Sequence, residues 1–332
     1  MAGNADQNPD DGRLPLDPLR ATNLSESMVG THFARFDILS VAGRGGMGLV
    51  FKARHPESGI LLALKVLPVL TRRDREPIRR FLAEAEVLAR LDHPNIPKIH
   101  TMGREGHLYY IGTEYIKGRT VARIIDGSDA FTTQQALLVV RGVAQGLSAA
   151  HRHGILHRDI KSDNLMIDRE GLVKVLDFGI AQDLRAKRRI TLGDQCLGNP
   201  EYCSPEQLST GEMDARTDIY SLGIVLYEML VGEVPFHGVP TMEMFQAKKR
   251  NRIPALNRMI PNAPRNLARM MKKMVAPKRE KRFGNMDELI AAIDEIRPTL
   301  GDFGRLQPSN ELRARSERRR PSAIQRALAN LF

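Results

Sequence analysis

Tryptophan is absent from this 332-residue chain, and aromatic residues of all kinds make up 5% of it. A nucleic-acid reader that stacks bases on interleaved aromatic and basic side chains has little to build with here, despite a net charge of +11. Cysteine is nearly absent as well: Cys196 and Cys203 are the only two. That excludes a disulfide framework and fits a reducing compartment. Long apolar runs are missing too. The best candidate, residues 222–231, falls short of the about 18 residues that span a bilayer, and it contains Glu228. Residues 1–15 are polar and acidic and lack the apolar centre of a signal peptide. The expectation is a cytoplasmic chain with no transmembrane segment and no nucleic-acid partner.

What is present is an ordinary globular composition, 42% hydrophobic, with room for one large or two small domains. The charge is partly local. Residues 301–332 hold seven arginines against Asp302, Glu311 and Glu317, a net of +4. A basic surface suited to ATP and to acidic partners accounts for the rest.

The most informative stretch is residues 155–167, Ile-Leu-His-Arg-Asp-Ile-Lys-Ser-Asp-Asn-Leu-Met-Ile. It reads as short strand, tight loop, short strand. The loop carries an acid, a base and an amide, Asp159, Lys161 and Asn164, so three chemistries can converge on one point. A second apolar run, 172–176, then delivers Asp177-Phe178-Gly179, with Asp177 18 residues beyond Asp159.

Upstream, residues 36–53 read as two strands around Gly43-Arg44-Gly45-Gly46-Met47-Gly48. Dinucleotide-binding folds use similar glycines but follow them with a helix. Here Val50 and Phe51 follow, so a hairpin tip is expected, whose backbone N–H groups can approach phosphates. Lys65 lies inside the apolar strand 60–66 and needs an anion, unless it snorkels from an edge strand. Residues 78–91 form an amphipathic helix on Ile78, Phe81, Leu82, Ala85 and Leu88. Glu84 and Glu86 flank that stripe, and periodicity does not choose between them. A long helix spans 132–153, with Thr132 or Thr133 as its cap and Gly154 at its end. Residues 218–232 are apolar all round and predict a buried helix, for which Asp218 could serve as N-cap.

These segments resemble the protein kinase family, in its bacterial serine/threonine form: H-R-D-x-K-x-x-N at 157–164, D-F-G at 177–179, the glycine loop, Ala63-Leu64-Lys65, and Gly198-Asn199-Pro200-Glu201-Tyr202-Cys203-Ser204-Pro205-Glu206. The resemblance covers about residues 36–296. It implies an α+β, two-lobed protein-kinase fold: a small, five-stranded antiparallel N-lobe sheet with one helix over about 32–116, and a larger, mainly helical C-lobe over about 117–297. Residues 1–31 are expected as a disordered arm and 298–332 as a basic tail.

The resemblance implies a protein-serine/threonine kinase that uses ATP and Mg2+. Asp159 would accept the acceptor hydroxyl's proton and Lys161 would neutralise the γ-phosphate. Asn164 and Asp177 would hold the metal. Gly43, Gly45 and Gly48 would cover the phosphates, and Lys65, fixed by Glu84, would grip them. Val50, Ala63, Met166, the gatekeeper Thr113 and the backbones of Glu114 and Ile116 would hold adenine. His93 reads as structural, in the family's H-P-N-I turn. Arg282 would pair with Glu206, and Asp218 would brace the catalytic loop.

Three departures stand out. Gly112, beside the gatekeeper, has no evident reason. Ser162 replaces the usual proline, with no obvious consequence. Asn199 replaces the usual threonine, whose hydroxyl would bond the catalytic acid and lysine. The alternative reading is a pseudokinase or ATP-binding scaffold, which as a rule has lost a lysine, acid or metal ligand.

Regulation is read from Arg158, which precedes Asp159 and in such kinases receives an activation-loop phosphate. Of the hydroxyls at Thr191, Tyr202 and Ser204, only Thr191 lies in the variable part, so autophosphorylation is expected there, between two copies of the chain. In the tail, Ile324, Ala327, Leu328, Leu331 and Phe332 recur at helical spacing after Ser322. So short a helix is expected to dock on its own C-lobe, a partner or a membrane surface.

Overall fold

The computed structural model describes residues 27–45, 48–68, 75–106, 108–127, 131–178, 199–209, 212–301 and Leu306. Gly46, Gly179, Thr191 and the helix expected over 322–332 lie outside the described residues.

Two compact units divide the chain. The first takes residues up to Ala89 and then Lys98–Tyr115; the second takes Arg90–Pro97 and everything from Ile116. Both are built from elements whose sequences explain them.

The first unit is a sheet with one helix. Its strands are β1 (His32–Phe33), β2 (Phe36–Gly45), β3 (Gly48–Arg54), β4 (Leu61–Pro68), β5 (Ile99–Glu105) and β6 (Leu108–Glu114), with helix α1 (Arg75–Ala89) after β4. The spatial order is β1-β2-β3-β4-β6-β5, antiparallel throughout. That makes six strands where five were expected. The extra one, β1, pairs Phe33 with Phe36 and is too short to show a periodicity of its own. The segment before it is also built in: the Gly30 N–H donates to the Ile38 carbonyl, and Met28 packs on the sheet's core. That core gathers Phe33, Phe36, Ile38, Phe51, Leu62, Leu64 and Tyr110. The glycine segment is a hairpin tip as expected, with Gly43 opposite Val50 and Gly45 opposite Gly48.

Gly112 now has a reason. A Cβ there would lie 2.6 Å from Thr101 Cγ2 and 3.4 Å from Leu62 Cδ1, so only a bare Cα fits between those neighbours.

The second unit holds the short strands β7 (Gly118–Thr120), β8 (Leu165–Asp168) and β9 (Val173–Val175), with helices α2 (Val121–Asp126), α3 (Thr133–His151), α4 (Ala215–Val231), α5 (Thr241–Lys249), α6 (Leu256–Met259), α7 (Arg265–Met274) and α8 (Met286–Ile296). Thr132 caps α3 in a reciprocal capping box with Gln135. Helix α4 is buried on every face from Thr217 to Met229, as its all-round apolar pattern requires. Its N-cap is Asp214, whose side chain accepts from the Arg216 N–H, and not Asp218. Asp218 stands one turn inside the helix and is released for other work. The chain continues in place beyond α8: Gln134 Nε2 donates to the Leu300 carbonyl, and Leu306 is buried.

No helix among the described residues is long and apolar enough to cross a membrane.

Candidate active site

The loop between residues 157 and 164 leads into β8, which pairs with β9 so that Leu165 faces Val175 and Met166 faces Lys174. The Leu176 N–H closes the base of this hairpin on the Asn164 carbonyl at 2.8 Å. Asn95, from the turn that His93 starts, ties in a third chain segment. Its Nδ2 donates to the Val173 carbonyl at 2.7 Å, and its carbonyl accepts from the Val175 N–H at 2.9 Å. Asn95 reaches β9 past Gly142 and Gly146 of α3, where a Cβ would crowd it at 3.3 and 3.2 Å.

His157 is fully buried and its bonds fix its tautomer. The Asp159 N–H donates to Nδ1 at 3.2 Å, so Nδ1 must be unprotonated; Nε2 then donates to the Leu176 carbonyl at 2.8 Å. Burial holds its pKa below the usual imidazole range, so the ring is a neutral strut between the two motifs. Phe178 packs against it with the rings tilted at 45°, centroids 4.8 Å apart.

Asp218 supports the same loop from beneath. Its carboxylate accepts from the His157 N–H at 2.9 Å and the Arg158 N–H at 2.8 Å, and His151 Nε2 lies 2.8 Å away. Burial alone would raise its pKa, but the hydrogen bond and charge of His151 outweigh it, and the carboxylate is held below its usual range. These bonds hold Arg158 at φ +64°, a left-handed conformation that costs a non-glycine residue about 1–3 kcal/mol. The Arg158 carbonyl accepts from Gln207 Nε2 at 2.7 Å. Asp177 is also left-handed, at φ +47°.

The strained loop presents Asp159, Lys161 and Asn164 together. Lys161 Nζ and Asn164 Nδ2 each donate to Asp159 Oδ2 at 3.1 Å, and Asn164 Nδ2 also reaches the Asp159 carbonyl at 2.8 Å. Asp159 Oδ1 has no hydrogen-bond partner among the described residues, and the side chain keeps 29% of its exposure. One oxygen is thus spent on positioning and the other is presented. The Asn164 amide nitrogen is likewise spent, which leaves its Oδ1 as a neutral oxygen ligand. Mg2+ takes one or two carboxylates and completes its shell with phosphate and water oxygens, so Asp177 with Asn164 fits such an ion.

The first unit places its own candidates. Lys65 stands in β4, an interior strand, between Val50 of β3 and Ile111 of β6, which removes the edge-strand reading. Glu84 is half-buried where Glu86 is exposed, in line with the resemblance that selects Glu84. Thr113 faces Ala63 across the sheet, and its Oγ1 donates to the Ala63 carbonyl at 3.4 Å. The Glu114 N–H is used inside this unit, on the Lys98 carbonyl at 2.8 Å.

Asn199 in the segment 199–206 and Ser162 in the loop 157–164 both depart from expectation. Asn199 turns its Oδ1 onto the Glu201 N–H at 3.2 Å, closing its own turn; it bonds neither Asp159 nor Lys161. Ser162 does have a consequence, because it joins a buried triad. Ser162 Oγ lies 2.9 Å from the Tyr202 hydroxyl and 3.1 Å from Glu228 Oε1, and the Tyr202 hydroxyl lies 2.8 Å from Glu228 Oε2. Proline would have left Tyr202 and Glu228 without that third member. At the far end of the segment, Arg282 clamps Glu206 with bonds of 2.6 and 2.8 Å, as the resemblance implies. Its remaining donors reach the carbonyls of Ala276, Arg216 and Pro277.

Three contacts close the Ser162–Tyr202–Glu228 ring, and three protons are needed to make all three hydrogen bonds. The two hydroxyls supply two, so a protonated Glu228 completes the ring. Burial and the charges of Asp163 and Glu201 push Glu228 up to about 7, against the hydrogen bonds it accepts. The raised value means that this stability is fully present below about pH 4.5, where the carboxyl is protonated even in the unfolded chain, and is lost as pH rises through about 7. The difference amounts to about 3 kcal/mol. Thermal unfolding of wild type and Glu228→Gln at pH 5 to 8 checks it. The amide mimics the protonated acid, so the variant is expected to lose less stability over that range; parallel curves would refute the assignment.

The ring and Asn95 were invisible to motif reading because their partners are far apart in the chain. Lys248 of α5 was missed as well, although one signal existed: it falls four residues after the buried Met244, on the helix's inner face.

The protein kinase domain family matches this chain over residues 36–292. The serine/threonine-protein kinase PrkC of Bacillus subtilis is 36% identical over 78% of this chain and 40% of its own length. The serine/threonine-protein kinase PknB of Mycobacterium leprae is 38% identical over 68% of this chain and 37% of its own. Among solved structures, the Mycobacterium tuberculosis PknI kinase domain matches with a TM-score of 0.63 and 27% identity, over 80% of this chain and 97% of that one. The chain spans about two fifths of the length of the curated relatives it matches.

Proposed function

This chain belongs to the protein kinase family, and from that premise we propose that it transfers the γ-phosphoryl group of ATP to serine and threonine hydroxyls of proteins. The observation that carries the reading is the divided carboxylate of Asp159: Oδ2 is held by Lys161 and Asn164, and Oδ1 is left to take the acceptor hydroxyl's proton. Phosphoryl transfer asks mainly for positioning and charge neutralisation. Lys161 lies beside the acid and neutralises the γ-phosphate. Lys65, fixed by Glu84, grips the inner phosphates beneath the glycine hairpin. Asn164 and Asp177 would hold Mg2+, which when bound would neutralise charge on the phosphates. Every one of these carriers is present, where a scaffold reading needs one replaced. Consumption of ATP fits a cytoplasmic setting.

Incubating the full chain with γ-labelled Mg-ATP and a mixed serine, threonine and tyrosine peptide tests the reading. Label on serine and threonine is expected. No label, or label on tyrosine alone, would sink it.

Regulation by the activation segment belongs to the same proposal. Tyr202 and Ser204 are 6% and 0% exposed, so they are poor targets for modification. Thr191 is expected to be phosphorylated, one copy of the chain acting on another, and to raise turnover by on the order of 5–150-fold, the range of an ordinary coupling free energy. Intact mass, peptide mapping and kinetics of Thr191→Ala check this. Equal turnover by wild type shown to lack phosphate at Thr191 would remove the idea.

A further inference from the structure

We propose that Lys248 is a positioning residue for the protein acceptor: its buried ammonium fixes the segment 200–203, which belongs to the motif that resembles the acceptor-docking wall of protein kinases, by binding that segment's backbone. The proposal rests on the kinase reading above and adds a residue to it.

Lys248 sits in the last turn of α5 and is 1% exposed. An ammonium has three protons, and here three carbonyls converge on it: Pro200 at 2.8 Å, Glu201 at 2.7 Å and Cys203 at 2.7 Å. Nζ also stands 5.7 Å from the centre of the Tyr220 ring, within cation–π range, while the Arg282 guanidinium stands 4.8 Å from the same ring. Tyr220 of α4 is therefore shared by two cations that hold the two ends of one short segment. Arg282 grips its end through the Glu206 carboxylate; Lys248 grips its beginning through main-chain oxygens. Tyr202, between them, is tied to Glu228 and Ser162, and Ser162 belongs to the catalytic loop. The wall is thereby pinned at three points to helices and to the loop that carries Asp159.

The chemistry of the clamp distinguishes positioning from bulk stability. Burying a cation is costly, and an apolar side chain of similar volume often serves stability as well or better. A lysine in this place has a use beyond filling space, since three of its hydrogen bonds go to the backbone of one segment. Pro200, Glu201 and Cys203 are each half-buried, so their carbonyls can turn to water when the ammonium is removed. The wall would then shift while the helical core stays packed. A backbone-directed clamp also leaves the side chains of the wall unconstrained in identity.

The test uses the full-length chain and the variants Lys248→Met and Lys248→Arg, with steady-state kinetics in both substrates, thermal unfolding, and amide hydrogen exchange. For Lys248→Met, the KM for the acceptor peptide is expected to rise tenfold or more while the KM for ATP stays within twofold. Exchange is expected to speed up at amides in 199–204 and to stay unchanged in α4. Lys248→Arg keeps the charge but offers a flat fork to three converging oxygens, so it should restore part of the acceptor affinity. An acceptor KM within twofold of wild type together with unchanged exchange at 199–204 overturns the proposal. So does an equal rise in both KM values with a collapsed melting temperature, which marks a purely structural lysine. If Lys248→Met does not fold, Lys248→Arg carries the same two-substrate comparison, and equal effects on both substrates count against the proposal. Wild type without transfer would end the kinase reading instead, and the exchange experiment would still decide whether Lys248 holds the wall.

Discussion

Asp159→Asn is expected to lower transfer to an acceptor serine by about 10²–10⁴, the usual contribution of a positioned general base, and to leave the fold intact. The amide is isosteric. Its oxygen can keep the contacts that Oδ2 makes with Lys161 and Asn164, so the loop stays in place. What is lost is Oδ1 as a proton acceptor, replaced by an NH2 group that only donates. The side chain is partly exposed, and the melting temperature should move little. Turnover and thermal unfolding measured on one preparation make the check. A variant with wild-type turnover would remove Asp159 from the chemistry, and one that fails to fold would make its role structural.

Asp218→Ala should do the opposite, failing first in stability. Asp218 is 0% exposed and serves two backbone N–H groups and one imidazole. Removing the carboxylate strands all three in a dry site and releases Arg158 from φ +64°. Breaking a buried charged network of this kind costs about 3–5 kcal/mol. For a domain this large that is a fall in melting temperature of roughly 10 °C. Turnover of the fraction that remains folded should fall with it, because the backbone that aims Asp159 is no longer held. A melting temperature within about 2 °C of wild type would show that other contacts hold the loop.

Much of the site was legible because its signals are short and contiguous. The loop at 157–164, the turn at 177–179 and the glycine hairpin each carry their chemistry within eight residues. Resemblance supplied the roles that spacing could not, such as Glu84 over Glu86. The misreadings share a cause. Asp218 could be taken for a cap because the true cap, Asp214, lies only four residues earlier and the pattern of α4 has no polar face to mark its start. Ser162 could be dismissed because its partners lie 40 and 66 residues away. The sixth strand was missed because two residues cannot show an alternation.

From sequence alone came most of the elements, the motifs and the residues to which the proposed phosphoryl transfer is assigned. Helix periodicity, capping and hairpin turns are settled by neighbours within about four positions, so a linear reading contains them. Only the tertiary structure decided what braces those residues: Asp218 beneath the loop, Asn95 on β9, the Ser162–Tyr202–Glu228 ring, and Lys248 on the backbone of residues 200–203. Each is a buried polar group, and burial demands a partner wherever the chain path brings one within about 3 Å. That path is set by how α3, α4 and α5 pack, which no local pattern records.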